Sequence, residues 1–178
     1  MNREEMIARS GDSHLEQLFS AALWDAGWRH CDEPDEALAH FDEASMAWSN
    51  GLPYVARCEA IPQVKFDAGG IARVVDWVFL PHGAFFGSSF VVIELDGHAY
   101  HERTPEQASR DRAFDRAAQL GGSIVLRFTH LELTRYMPAC MADLKSAIEL
   151  QGGRNAEAWR SYQGSRQRAP GLRVATGV

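Results

Sequence analysis

Three acidic side chains in this 178-residue chain stand where an acid is costly. Glu94 and Asp96 close the apolar run Val91-Val92-Ile93, and Asp76 interrupts Val74-Val75-Asp76-Trp77-Val78-Phe79-Leu80. In a strand, residues i and i+2 share a face, so Glu94 and Asp96 would project together from a hydrophobic strand end. Carboxylates crowded out of bulk water repel one another, and a divalent cation between them relieves that cost. A buried Asp76 needs a hydrogen-bonding partner, an arginine or a metal. Arg73 is the nearest cation, but i and i+3 lie on opposite strand faces, which argues against direct pairing. The chemistry these acids suggest is that of a metal-dependent site.

His98 and His101 follow at H-x-x-H spacing, which raises a zinc reading. With no cysteine nearby and no third histidine, that reading ranks below a hard cation held by oxygen ligands. His101 is the titratable group closest to the acids and so the candidate general base. His98 is expected at the surface, and His14, His30, His40, His82 and His130 are expected to be structural.

The elements that must position these residues follow from periodicity. Ser13 to Gly27 reads as an amphipathic helix with Leu15, Leu18, Phe19, Ala22 and Leu23 on one stripe; Ser13 and Glu16 form a capping box, which ranks above a catalytic role for Glu16. An acidic insertion at 32–50 is expected to carry a short helix anchored by Leu38 and Phe41, with Met46 and Trp48 as further anchors. Ala60 to Asp67 and Ile71 to Leu80 read as two strands joined at Ala68-Gly69-Gly70. Phe90 to Asp96 is apolar on both faces and so a central strand. Thr104-Pro105-Glu106-Gln107 opens a helix to Leu120, with Arg110, Ala113, Phe114 and Ala117 inward and Asp111, Arg112, Asp115 and Arg116 as surface ion pairs. Ser123 to Phe128 is a fourth strand, in which Arg127 either pairs with a buried acid or faces a groove. Pro138 to Leu150 is a closing helix stopped near Gly152-Gly153.

Composition bounds the rest. The chain is 46% apolar with net charge -6, and one domain over 1–150 is expected. Residues 1–60 carry 4 basic and 12 acidic side chains, whereas 151–178 carry 5 and 1. The basic extension at 151–178 is expected to be a short helix followed by a disordered tail. The acidic N-terminal region is a candidate surface for a protein partner. Three cysteines, Cys31, Cys58 and Cys140, form no C-x-x-C pair, and neither a signal-peptide core nor a membrane-length apolar run is present, so a cytoplasmic protein with no membrane partner is expected.

In sum the expected fold is α/β (α+β), in the order α-β-β-β-α-β with a mixed four-stranded central sheet flanked by helices. That order, with an acid on the second strand and another at the end of the third, resembles the PD-(D/E)xK nuclease superfamily and its restriction-endonuclease-like core. More narrowly, Glu94-Leu95-Asp96-Gly97 with His101, then Arg110-Asp111-Arg112 with Asp115, then Gly122 and Val125-Leu126-Arg127-Phe128-Thr129, resembles the Vsr-like endonuclease group, particularly its small domains of unknown function. Gln63 and Asp76 also fall where similar domains carry Gln and Asp. The resemblance spans about 13–150 and is firmest from Gln63 to Thr129.

The resemblance implies hydrolysis of DNA phosphodiester bonds with Mg2+ or Mn2+. Asp76 and Glu94, with the Leu95 carbonyl, would hold the ion, assisted by Asp96. The ion would polarise the phosphoryl oxygen and lower the pKa of water. His101, with Gln63 or Glu16, would orient the water or assist the leaving oxygen. Arg110, Arg127 and Arg103 would neutralise phosphate, and double-strand cutting would favour a homodimer. Two departures stand out: Asp96 replaces the superfamily's usual lysine, moving the base role to His101, and the cysteine-rich zinc site of mismatch-repair members is absent. The alternative is a non-catalytic nucleic-acid- or protein-binding module, antitoxin-like or regulatory, that retains the fold.

Overall fold

The computed structural model describes residues 1–31, 46–52, 57–81, 89–97 and 104–167, with side chains through 162. Two capped helices open the chain, α1 (Arg3–Arg9) and α2 (His14–Asp25). Short strands β1 (Arg29–His30) and β2 (Trp48–Ser49) precede the long hairpin β3 (Cys58–Ala68) and β4 (Ile71–Pro81). Then come β5 (Val91–Asp96), α3 (Pro105–Leu120), β6 (Ile124–Thr129), α4 (His130–Arg135) and α5 (Met137–Gln167).

The six strands form one mixed sheet in the order β1-β2-β3-β4-β5-β6. Neighbours are antiparallel except β5 and β6, which run parallel with Glu94 beside Arg127 and Asp96 beside Thr129. A parallel pair needs a crossover, and α3 provides it. The expected four strands are thus six, because β1 and β2 extend the sheet beyond β3. Trp48 belongs to β2 rather than to a helix: its ring is fully buried and packs edge-on against Trp77. The remainder of the predicted acidic helix, 32–45, lies outside the described residues. Gly69 and Gly70 make the β3–β4 turn with φ of 61° and 88°, the double positive φ that favours glycine in a two-residue hairpin.

Helices cover both faces. On one, Phe19 and Leu23 of α2, Leu133 of α4 and Leu144 of α5 meet Trp77, Phe79, Ile93 and Phe128. On the other, Phe114 and Ala118 of α3 meet Val64, Phe66, Val75, Val78 and Val92. Phe19 alone contacts the rings of Trp77, Phe79 and Phe128, fixing α2 on the sheet.

The closing helix does not stop at Gly152-Gly153. Interior glycine costs about 1 kcal/mol relative to alanine, and contacts on both sides of the pair offset it. Asn155, fully sequestered, donates to the Ser89 carbonyl at 3.1 Å and accepts from the Ser89 N–H at 3.3 Å. A Cβ at Gly152 would touch Pro81 at 3.5 Å, so glycine also permits close approach to the sheet. The helix therefore runs on through residue 150 to Gln167. Among the described residues no helix is long and apolar enough to cross a membrane.

Candidate active site

The site forms where the sheet breaks its own alternation. On β3, Ala60 belongs to the α2 side and Ile61 to the α3 side, yet Val64, Phe66 and Ala68 all lie on the α3 side. On β4, Trp77 and Phe79 face α2 while Val75 faces α3. Strict period-two pleating would put Val75 with Trp77, so the two strands exchange faces together between Pro62 and Val64 and between Val75 and Trp77. The cause is visible at Gln63, whose φ of 54° is in the left-handed region that costs a side-chain-bearing residue about 1 kcal/mol or more. Register pairs Pro62 with Trp77 and Val64 with Val75, which sets Gln63 opposite Asp76 at the exchange point.

Asp76 takes its hydrogen bonds from this break. Its Oδ2 accepts from the Leu95 N–H at 2.6 Å, and its Oδ1 accepts from the Gln63 amide at 3.4 Å. The β4–β5 register ends at Trp77 opposite Ile93, so the carboxylate captures a backbone donor just past the ladder. The same Gln63 amide donates to Glu16 Oε1 at 2.9 Å. Glu16 still caps α2, its Oε2 accepting from the Ser13 N–H at 2.8 Å. The capping role expected for Glu16 holds, and the second oxygen joins the site.

Burial is the main reason that the Asp76 carboxyl is pushed up to about 6, with the fields of Glu94 and Glu16 adding to it and the Leu95 and Gln63 bonds opposing. No guanidinium or ammonium bonds Asp76 among the described residues. One further register step beyond Trp77 and Ile93 sets Asp76 against Glu94. The expectation that Asp76 does not pair with Arg73 holds, and the partners it takes instead are neutral.

Glu94 is differently placed. It faces α3, where Arg73 Nε donates to its Oε1 at 2.9 Å and Nη2 makes a further ion pair to the same oxygen. Arg73 Nη1 donates to Asp111 Oδ1 at 2.8 Å, and its guanidinium lies 4.3 Å from the centre of the Phe114 ring. Burial raises the Glu94 carboxyl, against the pull of Arg73 and Arg127. Arg127 grips Asp115 with two bonds, Nε to Oδ2 at 3.1 Å and Nη2 to Oδ1 at 2.8 Å, so of its two expected fates it takes the acid.

Two readings of α3 are corrected. Arg110 is exposed and does not turn inward; Asp111, Phe114, Asp115 and Ala118 form the sheet-facing stripe. The helix phase is one residue off the apolar count, because Arg73 and Arg127 on the sheet accept acids where an apolar face was expected. Arg73, Asp111 and Asp115 were therefore missed as site residues; the i, i+4 spacing of the two aspartates was their sequence signal. Asp96 is half-buried at the end of β5 beside Thr129. His98, His101 and Arg103 lie outside the described residues.

For a hard divalent cation the donors fit in kind. Mg2+ keeps several waters and takes one or two carboxylates with substrate phosphate, and Asp76 and Glu94 are oxygen donors of that kind. Among the described residues no three His, Cys, Asp or Glu side chains group to hold a metal on their own. A groove of about 850 Å3 lies elsewhere, between α5 and the β2–β3 edge, lined by Trp28, Leu52, Met141 and Ile148 and by none of these residues.

The strain at Gln63 is testable by itself. Gln63→Gly and Gln63→Ala both delete the amide, but only alanine keeps a Cβ at positive φ. The glycine variant is expected to be more stable by roughly 0.5–1 kcal/mol in urea unfolding. Equal stabilities would show that the break carries no backbone strain. Compared with known proteins, the chain matches no family model, and no curated protein or solved structure matches it significantly.

Proposed function

We propose that this chain is a Mg2+- or Mn2+-dependent endonuclease that hydrolyses DNA phosphodiester bonds, on a restriction-endonuclease-like core formed by α2, β3, β4, β5, α3 and β6. The observation that carries the reading is Asp76: a carboxylate at a sheet break, raised by burial and by two neighbouring acids, with only neutral donors among the described residues. Such a group is short of one positive charge, which a divalent cation supplies. The element order and the parallel β5–β6 pair support the core.

Each residue then has a task. Asp76 and Glu94 would hold the ion, with the Leu95 carbonyl as a further oxygen donor, and the Leu95 N–H fixes the Asp76 carboxylate in place. When bound, the ion polarises the phosphoryl oxygen and acidifies water. Gln63, tied to Glu16, orients Asp76, and Asp96 extends the acidic edge. Arg127, braced by Asp115, presents positive charge beside Glu94 for the phosphate. His101 remains the proposed base and Arg103 a proposed phosphate contact; exposed Arg110 would reach a strand only from outside the cluster.

One observation favours the second reading, a non-catalytic binding module: Glu94 and Arg127 are each already paired inside the protein. Supercoiled plasmid separates the two. With Mg2+ or Mn2+ the protein is expected to nick or linearise it, with EDTA to leave it intact, and Glu94→Ala is expected to be inactive. Absence of metal-dependent nicking, together with a Glu94→Ala variant that folds and binds DNA like its parent, sinks the enzyme reading.

A further inference from the structure

Arg73 is the most constrained cation of the cluster. Two of its nitrogens converge on Glu94 Oε1, a third bonds Asp111, and its plane lies against Phe114. Glu94 is only 12% exposed and Arg73 22%. Asp111 and Phe114 both belong to α3, so the guanidinium has an anchor that is independent of Glu94. Arg73 and Arg127 face Glu94, Asp111 and Asp115, three acids against two guanidiniums, and Glu94 in turn feels the field of Asp76. A divalent ion on Glu94 would sit beside Arg73, and like charges at that range repel by more than thermal energy even in a partly solvated site. The two must compete for Glu94.

We propose, resting on the reading above, that Arg73 is an internal counter-ion that occupies Glu94 until a divalent cation binds. The cation then displaces the Nε–Nη2 edge of its guanidinium onto the phosphate of the bound strand. The exchange makes and breaks no covalent bond: one positive charge leaves Glu94 and two arrive. Nη1 stays on Asp111, which keeps the freed edge within the site, and a planar fork of two donors matches phosphate oxygens. Arg73 is thus a phosphate-positioning residue whose release is coupled to metal loading.

The test measures metal, not turnover. Mn2+ binding without DNA, followed by electron paramagnetic resonance, is expected to be at least about tenfold tighter in Arg73→Gln than in the parent, because a competing charge has gone. Cleavage by the same variant is expected to fall, a combination of tighter metal and slower turnover that a purely structural role would not produce. Should Arg73→Gln not fold, the parent decides: its Arg73 Nε–H resonance is expected to shift as Mg2+ is titrated. Mn2+ affinity unchanged in Arg73→Gln, or an Nε–H signal unmoved at saturating Mg2+ in a parent that nicks plasmid, overturns this inference and leaves the nuclease reading standing. If neither protein binds Mn2+ and the parent nicks nothing, both fall.

Discussion

Asp76→Asn is expected to melt several degrees above the parent at pH 7.5 in EDTA while losing metal-dependent cleavage by about a thousandfold or more. The stability gain follows from the sign of linkage. The folded carboxyl is raised to about 6, above its value near 3.9 in an unfolded chain. Folding therefore favours the protonated form: the contribution of Asp76 is fully present below pH 4, is lost as pH rises through 6, and leaves a penalty of up to about 3 kcal/mol at neutral pH. Asparagine has no charge to bury and keeps the acceptor for the Leu95 N–H. The difference between the two melting temperatures should shrink steadily from pH 7.5 to pH 4. Added Mg2+ should narrow it at pH 7.5 as well, because an ion that binds only the folded parent stabilises only the parent. The loss of cleavage follows from removing one of two carboxylates proposed to hold an ion whose contribution to catalysis is several kcal/mol. A destabilised Asp76→Asn would show that the charge is satisfied in the fold.

Glu94→Gln is expected to lose activity as well, but to lose stability rather than gain it. Burial raises the Glu94 carboxyl as it does that of Asp76, yet here the Arg73 bonds pull against burial, and those bonds are what the amide forfeits. Its carboxylate bonds Arg73 within a largely buried pair, and a neutral amide there leaves the guanidinium with Asp111 alone. Breaking one partner of such a pair costs about 1–3 kcal/mol, less than a fully buried pair because Arg73 retains some solvent. A double-mutant cycle with Arg73→Gln should show that the two changes together cost less than their sum, as expected for groups in direct contact. The opposite shifts of Asp76→Asn and Glu94→Gln separate two acids that are neighbours in the sheet: among the described residues one bonds neutral donors alone and the other is held by Arg73. Melting curves that move upward for both variants would contradict the Arg73–Glu94 pair as a stabilising contact.

Much of this site was legible from short windows of sequence. The Ser13–Glu16 and Thr104–Gln107 capping boxes and the Gly69-Gly70 turn that joins β3 to β4 depend on neighbours within a few residues, and they form as expected. Asp76 stood out because a carboxylate in an apolar strand violates its surroundings wherever that strand packs. What the sequence could not specify was which side chain answers which. Arg73 meets Glu94 from 21 positions away and Asp111 from 38, and these partners depend on strand register and on the rotational phase of α3. A one-residue error in that phase, made by counting apolar residues, exchanged Arg110 for Asp111. Gln63 offered no local sign of its positive φ, since the face exchange is a property of two paired strands and not of either alone. The chain by itself therefore determined that one acid would interrupt an apolar strand and two more would close the next, because burial makes each of them exceptional. Only the tertiary structure decided that, among the described residues, one of those acids bonds neutral donors alone while the next is held by Arg73, because charge compensation is set by distance in space.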